Sequence, residues 1–275
     1  MKIKLTATIL LASAGILPFT AIADQNVPAP AKQNTTSLFT PEQESRIGEV
    51  AADYLLRHPD ILVKVSQELE AQPQQQQMQK MATAAISLQK DLLQDKDAPS
   101  YGPDDAGVVV VEFFDYQCVY CSHLAPVVEN IMKANPGVRF VFREWPIFAR
   151  SWPVSMSAAQ TGLQVWKQKG PDAYLAYHNG VFATGHFEGK LTDNDISKVA
   201  DSVKFKASVA TNVQDELDKT SSLAQAIGLQ GTPGLVIIPA KNATPENTTI
   251  IPGIATATAL QAAIDKASGK QPDTE

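Results

Sequence analysis

The most informative stretch of this chain covers residues 108–121 and reads VVVVEFFDYQCVYC. β-Branched and aromatic residues fill most of its first seven positions, which predicts a buried strand over Val108–Phe114. Cys118 and Cys121 follow that strand, and they are the only two cysteines among the 275 residues. A helix that begins there presents unpaired backbone N–H groups and the positive end of its dipole to the first thiol, and both stabilise a thiolate. Because two cysteines at this spacing can also close as a disulfide, the motif indicates redox chemistry.

Two other uses of the cysteine pair fit the sequence less well. A structural disulfide between such close neighbours closes a very small ring, which removes little entropy from the unfolded chain and contributes little stability. A zinc site needs further ligands, yet there is no second cysteine pair, and the histidines lack ligand spacing. The histidines are His58, His123, His178 and His186. We therefore expect catalytic chemistry that uses the two thiols alone, with no metal and no cofactor.

The first 23 residues have the pattern of a secretory signal peptide. Two lysines form a charged start, residues 5–19 form an apolar middle, and residues 21–23 (AIA) form a small-x-small cleavage site. The apolar run is too short and too interrupted to span a bilayer comfortably, which argues against a membrane anchor. We predict an exported, periplasmic protein, and the sequence leaves outer-membrane or surface association open.

The charge of the chain excludes one class of partner. The formal net charge is −6, and the leader contains lysines but no acidic residue, so its removal makes the protein more acidic. A mildly acidic exported protein is a poor candidate for nucleic-acid binding, so we expect no nucleic-acid partner. The length allows one moderate domain and a smaller region.

The segment after the leader divides into a tether and a helical region. Residues 24–37 are rich in Pro, Ala and polar residues and predict a flexible tether. Residues 38–98 predict three helices: one that begins at Thr40 with a capping box, one over about residues 60–70, and one after Pro73. These helices have too few residues to bury their apolar stripes alone, so they pack either on the rest of the chain or on a second copy. We favour the second copy, which predicts a homodimer.

The remaining chain alternates between strand and helix patterns. A strand over Val138–Trp145 follows the helix that carries the cysteines without a hairpin turn, which predicts a βαβ unit with parallel strands. Residues 150–229 have a helical pattern, and we expect His178 and His186 within them to lie at the surface. The last three elements are predicted to be the two strands of a hairpin and a closing helix: Gly234–Ile238, Thr248–Ile251 and Ala255–Ala267.

Three separated features of residues 99–275 together resemble a thioredoxin fold: a strand that leads into a C-x-x-C helix, the dipeptide Thr232-Pro233 before a hairpin, and the closing helix. The helical excess before Pro233 and the run FFDYQCVYC at residues 113–121 are similar to the DsbA family of periplasmic thiol:disulfide oxidoreductases. With its N-terminal helices, the chain resembles the dimeric DsbA-like proteins, including Com-type bacterial surface antigens. The resemblance implies an α/β thioredoxin fold with a helical insertion, preceded by a small N-terminal helical dimerisation region.

The resemblance also implies roles for individual residues. Cys118 becomes the nucleophile at an exposed helix start, and Cys121 becomes the buried thiol that resolves the mixed disulfide. Thr232-Pro233 matches the residue and the cis-proline that pair with the substrate backbone. Val119-Tyr120, between the two cysteines, belongs to the same substrate-binding surface.

Glu112 lies on an otherwise apolar strand, shortly before Cys118. A carboxyl group there is partly buried, and desolvation raises its pKa. Glu112 matches the buried acid of the family, which implies that it relays a proton to or from Cys121. The alternative is an edge-strand carboxylate that reaches solvent.

The dipeptide between the cysteines departs from the Pro-His of the much-studied DsbA. Val119-Tyr120 provides no cation, so we expect a less acidic Cys118 and a less oxidising cysteine pair. The tyrosine before the second cysteine and the threonine before the proline are more similar to the dimeric isomerases DsbC and DsbG. These departures leave the balance between oxidase and isomerase open.

Together, these features predict an exported thiol:disulfide oxidoreductase that forms or isomerises disulfides through Cys118 and Cys121. Its expected partners are cysteine-containing secreted proteins and a membrane redox partner, either a DsbB-like oxidant or a DsbD-like reductant or both. The alternative is a periplasmic holdase chaperone or surface-associated binding protein that uses a thioredoxin fold for binding alone.

Overall fold

The computed structural model describes residues 38–206 and 212–270. The predicted leader and tether, residues 1–37, therefore lie outside the described residues. The chain divides into two compact units, one that ends at Leu62 and one that begins at Val63.

Helix α1, Pro41–Arg57, begins with the capping box that the sequence predicts. The backbone N–H of Gln43 donates to Thr40 Oγ1 at 3.3 Å, and the backbone N–H of Thr40 donates to Gln43 Oε1 at 2.8 Å. No residue of this fully described helix is buried. Its exposed apolar face, which we call the α1 face, consists of Ile47, Val50 and Tyr54.

Two helices follow α1, as the sequence predicts, but the break between them lies at Leu88 instead of Pro73. They are α2, Pro59–Ser87, and α3, Gln89–Leu93. Pro73 lies inside α2 instead of separating two helices, so the prediction of a helix end there is wrong. The half of α2 after Pro73 buries Met81, Ala82 and Ala85, and this packing offsets the backbone hydrogen bond that the proline removes.

Within the described residues, a mixed sheet forms the centre of the second unit. Its strands are β1 Ser100–Tyr101, β2 Val108–Phe114, β3 Arg139–Glu144, β4 Gly234–Pro239 and β5 Thr249–Pro252, in the order β1-β3-β2-β4-β5. β2 and β3 are parallel, which confirms the predicted βαβ unit, and β4 and β5 are antiparallel, which confirms the predicted hairpin. β2 is the central strand and pairs with β4 in the antiparallel direction.

Helices flank the sheet and fill the predicted insertion. They are α4 Val119–Ala134, α5 Val154–Lys169, α6 Pro171–Ala183, α7 Asp193–Ser202, α8 Gln214–Ile227 and α9 Ala257–Ala267, with a 3₁₀ turn at Ile147–Arg150. Residues 207–211, within the predicted helical insertion at residues 150–229, lie outside the described residues. Among the helices of the described ranges, none has the length and apolar character that a bilayer span requires.

Side chains of the central strands alternate between two buried layers. One face of β2 and β3 includes Val110, Phe114 and Phe142 and packs with α4, α6 and α9. The other face includes Val111 and Phe113 and packs with α2, α3 and α8. Every residue of β2 is buried, so this strand can hold a functional side chain away from solvent.

The end of α2 and all of α3 belong to the same compact unit as the sheet. Leu92 is fully buried in the layer that contains α8. Arg143 of β3 donates to Asp95, just after α3, with an Nη1–Oδ2 distance of 2.7 Å, and both side chains are buried. The compact unit that contains the sheet therefore begins at Val63, and the apolar faces of the second half of α2 and of α3 pack within it.

Candidate active site

The side chain of Cys118 caps the N-terminus of α4. Its backbone is extended, with φ −80° and ψ 116°, and its Sγ accepts a hydrogen bond from the backbone N–H of Cys121 at 3.4 Å. The Cys118 carbonyl accepts a helical hydrogen bond from the N–H of Ser122 at 3.1 Å. The sulfur thus lies where a helix offers unpaired donors and the positive end of its dipole, as the sequence predicts.

The pKa values of the two thiols move in opposite directions. The hydrogen bond from the Cys121 side chain has the largest effect on Cys118 and, against the effect of burial, helps to lower the Cys118 pKa to about 6. The Thr232 side chain and the backbone N–H groups of Cys121 and Tyr120 act in the same direction. Burial raises the pKa of Cys121 well above its usual value, and its hydrogen bond to Cys118 adds to the increase. At neutral pH, Cys118 is therefore largely a thiolate and Cys121 a thiol.

The loop before β4 lies directly against Cys118. The Thr232–Pro233 peptide bond is cis, as the resemblance implies. The Cys118 thiol, when protonated, donates to the Thr232 carbonyl oxygen at an Sγ–O distance of 3.3 Å. Cys118 is only 3 % exposed, so the expectation of an exposed nucleophile is wrong: this loop and the core cover most of the side chain.

The dipeptide between the cysteines forms the first turn of α4. Val119 is partly buried, whereas Tyr120 exposes 59 % of its surface. Tyr120 therefore offers an exposed aromatic surface two residues after Cys118.

Glu112 is buried on the central strand, on the same face of β2 as Val110 and Phe114. Burial raises its pKa to about 8. Neither carboxyl oxygen has a hydrogen-bond partner among the described residues. Its charge adds to the raised pKa of Cys121, so the two groups interact electrostatically. The alternative of an edge-strand carboxylate that reaches solvent is excluded.

Sequence reasoning does not identify a second buried carboxyl, that of Glu144 at the end of β3. Its Oε1 accepts hydrogen bonds from the hydroxyls of Tyr116 at 3.0 Å and Tyr174 at 2.9 Å. Burial raises its pKa well above the usual value, against the effect of these hydrogen bonds, and Asp115 and Glu112 add repulsion. A glutamate at the end of an apolar strand can be recognised in the sequence as a candidate buried carboxyl. Its hydrogen-bond partner on α6, Tyr174, is too distant in sequence to be recognised in the same way.

His178 on α6 is buried, contrary to the expected surface position. Its ring centroid lies 4.6 Å from that of Phe114 and 4.9 Å from that of Phe142. Burial lowers its pKa to about 3, so the ring is neutral at physiological pH. The side chain faces inward because α6 packs against the central strands, which the sequence around one histidine does not show. His186 is exposed, as expected.

The structure brings together the side chains that thiol chemistry requires. Cys118 contacts Cys121 and Thr232, and Glu112 acts on Cys121 from the central strand. Within residues 38–206 and 212–270, no group of three or more His, Cys, Asp or Glu is arranged to hold a metal ion. The site can exchange two electrons through its paired sulfurs and one proton through a neighbouring carboxyl.

Two family models match the chain. Residues 109–265 match the DSBA-like thioredoxin domain, and this match covers more than half of the chain. The chain belongs to the DSBA-like thioredoxin domain family. Residues 43–76 match the Copper resistance protein ScsC N-terminal domain. Together the matches confirm the expected α/β thioredoxin fold and its N-terminal helical region.

Individual relatives agree with this assignment. BcfH from Salmonella enterica Typhimurium is 42 % identical with a TM-score of 0.68, over 83 % of this chain and 97 % of that one. A linker-deletion mutant of Proteus mirabilis ScsC is 25 % identical with a TM-score of 0.58, over 86 % of this chain and 99 % of that one. The thiol:disulfide interchange protein DsbA from Bordetella parapertussis is 29 % identical over 148 residues, or 50 % of this chain and 68 % of that protein. The protein is thus an N-terminally extended member of a thiol:disulfide oxidoreductase family.

The alkylation rate of reduced Cys118 should rise with pH with a midpoint near 6, because its pKa is lowered to about 6. In Cys121→Ala the midpoint should move upward, since the hydrogen bond from Cys121 is the largest cause of the shift. Cys121→Ser retains a donor and should show a smaller change. Iodoacetamide trapping followed by mass spectrometry measures all three. A wild-type midpoint near the value of an ordinary thiol, about 8.5, would contradict this account.

Glu112→Gln should reduce the pH dependence of stability. The folded-state pKa of Glu112 is about 8, above its ordinary value of 4.5, so its stabilising contribution is complete below the lower value. That contribution is lost as pH rises to the higher value, by up to about 1.4 kcal/mol per pH unit. Denaturant unfolding from about pH 5 to 9 should therefore show the variant gaining stability relative to wild type, whereas exposed Glu68→Gln should show no such gain. Parallel curves for wild type and Glu112→Gln would exclude the raised pKa.

Proposed function

We propose that this protein forms and rearranges disulfides in exported, cysteine-containing proteins. The observation that carries the proposal is the difference between the two thiols at the start of α4: the pKa of Cys118 is lowered to about 6, and that of Cys121 is raised by burial. A thiolate is the form that attacks a substrate disulfide at neutral pH. A buried, protonated thiol reacts only after the mixed disulfide has formed. Membership of a thiol:disulfide oxidoreductase family supports the same chemistry.

The proposed reaction transfers two electrons through a mixed disulfide. The Cys118 thiolate attacks one sulfur of a substrate disulfide, and the other substrate sulfur leaves as a thiolate. Cys121 then loses its proton and attacks the Cys118 sulfur, which releases the second substrate thiolate and forms the Cys118–Cys121 disulfide. The reverse sequence oxidises a substrate dithiol. In isomerisation, a second thiol of the substrate displaces Cys118 before Cys121 reacts.

Glu112 is proposed to exchange the proton of Cys121. A carboxyl group with a pKa of about 8 can accept and return a proton near neutral pH, and its charge already affects the Cys121 pKa. Thr232-Pro233 and Val119-Tyr120 are proposed to contact the substrate, because the Thr232 carbonyl lies beside Cys118 and Tyr120 is exposed. Exchange rates of Glu112→Gln that equal those of wild type at every pH would remove the role of Glu112.

The proposed location of the protein rests on its leader pattern, and its proposed redox partners are those that thiol–disulfide exchange requires. The leader pattern over residues 1–23 supports export to the periplasm. An oxidase requires reoxidation of the Cys118–Cys121 pair, which a DsbB-like membrane protein would supply. An isomerase requires reduced Cys118, which a DsbD-like membrane protein would maintain. Both remain proposed partners, and which one engages the protein decides the direction of exchange.

The α1 face supports self-association. Ile47, Val50 and Tyr54 are 50 %, 55 % and 52 % exposed, and full burial of such a side chain stabilises an interface by about 1.5–3 kcal/mol. We assign this face to the contact with a second copy in the proposed homodimer. Such a dimer would present two cysteine sites to one misfolded chain. The same apolar face favours the second candidate, a holdase that binds unfolded chains without exchange.

Refolding of a scrambled multi-disulfide protein in a glutathione buffer distinguishes disulfide exchange from the holdase function. The mature chain should accelerate recovery of native disulfides, and Cys118→Ser should reduce the acceleration to the background rate because it removes the nucleophile. The Ser222→Ala variant on α8, far from Cys118 in sequence, should behave as wild type. If Cys118→Ser keeps full activity, exchange is not the function and the holdase takes its place.

The role of the α1 face is tested in the same assay with Ile47→Glu combined with Val50→Glu. Light scattering should show a lower mass than wild type, since two charges oppose burial of the face. Refolding activity should fall, while reduction of a small disulfide stays unchanged. Ser45→Glu combined with Ala52→Glu, on the other side of the helix, is the matched control, because it adds the same two charges without touching the apolar face. A mass equal to that of wild type in the double variant would exclude this interface.

A further inference from the structure

Three residues, Asp115, Tyr116 and Gln117, connect the end of β2 to Cys118, and all three are buried. We call them the 115–117 turn. None of them reacts in the proposed disulfide exchange. Buried polar side chains need hydrogen-bond partners, so the contacts of this turn show what holds it in place.

The carboxyl group of Asp115 connects the turn to the segments that follow β3. Its Oδ1 accepts a hydrogen bond from the backbone N–H of Gln117 at 2.8 Å. Its Oδ2 accepts one from the backbone N–H of Phe148, in the 3₁₀ turn, at 2.9 Å. The hydroxyl of Ser155 on α5 lies 2.8 Å from each oxygen and donates to one of them at a time. One side chain therefore binds donors from three separate parts of the chain.

The backbone of Asp115 contacts both cysteines. Its carbonyl oxygen accepts a hydrogen bond from the backbone N–H of Cys118 at 3.0 Å, and its backbone also hydrogen-bonds the sulfur of Cys121. The bond to Cys118 closes the chain immediately before α4 begins. A displacement of Asp115 would therefore change the distance from the Cys118 sulfur to the backbone N–H of Cys121, which is 3.4 Å.

The other two residues of the turn are also held by distant segments. The Tyr116 hydroxyl donates to Glu144 at 3.0 Å. Gln117 Oε1 accepts a hydrogen bond from the backbone N–H of Gly189 at 2.7 Å, and the Gln117 carbonyl accepts one from that of Glu188 at 3.1 Å. Glu188 and Gly189 lie between α6 and α7. The helical insertion thus holds the turn from α5 and from the loop after α6.

We propose that Asp115 is a positioning residue for the cysteine pair: by binding Phe148 and Ser155, it holds Cys118 where the first N–H groups of α4 stabilise the thiolate. The helical insertion thereby influences the reactivity of Cys118, although it contributes no reacting atom. This inference rests on the proposed disulfide exchange and deepens it, because a residue outside the pair sets the redox balance of the pair. A carboxylate that acted through its charge would instead disfavour a nearby thiolate.

Asp115→Asn and Ser155→Ala test this role with one change that removes the charge and one that keeps it. Asparagine has one acceptor oxygen and an NH₂ donor, so the N–H of either Gln117 or Phe148 loses its acceptor. Both variants should raise the midpoint of Cys118 alkylation. In Asp115→Asn it should rise by about one pH unit from the wild-type value near 6. If Asp115 acted through its charge, the midpoint of this variant would fall.

The equilibrium of the cysteine pair with glutathione gives a second readout. A less stable thiolate destabilises the reduced form of the protein. A midpoint that rises from about 6 to about 7 should therefore shift this equilibrium about fivefold toward the Cys118–Cys121 disulfide at pH 7. A general loss of folding stability would not move the two quantities together.

Asp95→Asn and Thr220→Val are the matched controls. Asp95 is a buried carboxylate that binds Arg143, and Thr220 is buried on α8, so these changes alter a buried carboxylate and a buried residue's hydroxyl elsewhere in the fold. Both controls should keep the wild-type midpoint and equilibrium, while circular dichroism checks that each variant is folded.

An unchanged or lowered midpoint in either folded test variant, or an equal rise in the controls, would overturn the role of Asp115. If Asp115→Asn does not fold, Ser155→Ala decides by the same criterion. A wild-type cysteine pair that does not exchange with glutathione would instead refute the proposed disulfide exchange, and the alkylation midpoints would still decide the role of Asp115.

Discussion

The hydrogen bonds around the Cys118 sulfur depend on the topology of the sheet. The sulfur lies between the N-terminus of α4 and the carbonyl oxygen of Thr232, which belong to segments more than a hundred residues apart. β2 and β4 are antiparallel, and Phe113 near the end of β2 pairs with Gly234 at the start of β4. Helix α4, which follows β2, therefore begins close to the residues that precede β4. This arrangement brings the loop that contains Thr232-Pro233 to Cys118.

At neutral pH the site contains one charged sulfur, that of Cys118, whereas several other buried polar groups are neutral. Burial favours the neutral forms of Glu112, Glu144 and His178 near physiological pH, and the tyrosine hydroxyls that contact Glu144 satisfy one of its oxygens. Of these groups, Cys118 is the one whose donors outweigh the effect of burial and lower its pKa. Burial thus raises the pKa of Cys121, whereas hydrogen-bond donors lower that of Cys118, even though both side chains are largely covered. The proposed order of reaction rests on this contrast.

Local sequence patterns were sufficient to predict the central elements of the fold. The other features depend on tertiary packing. The β-branched run of β2, the C-x-x-C spacing and the dipeptide Thr232-Pro233 are contiguous signals, so the sequence predicted the strand and the helix start, and its resemblance implied the cis-proline loop. The continuity of α2 through Pro73, the buried position of His178 and the role of Glu144 as a hydrogen-bond acceptor depend on residues far apart in the chain. Near-complete burial of Cys118 likewise requires the loop before β4. These features depend on tertiary contacts, about which the periodicity of the sequence gives no information.

The most direct test of this account is to find which sulfur carries the mixed disulfide. Cys121→Ala and Cys118→Ala are each incubated with a disulfide-linked peptide, quenched with acid and analysed by mass spectrometry. The account predicts that Cys121→Ala accumulates a peptide adduct on Cys118, because attack proceeds and resolution does not, while Cys118→Ala forms almost none. Equal adduct formation in both variants, or formation only on Cys121, would contradict the assignment of Cys118 as the nucleophile.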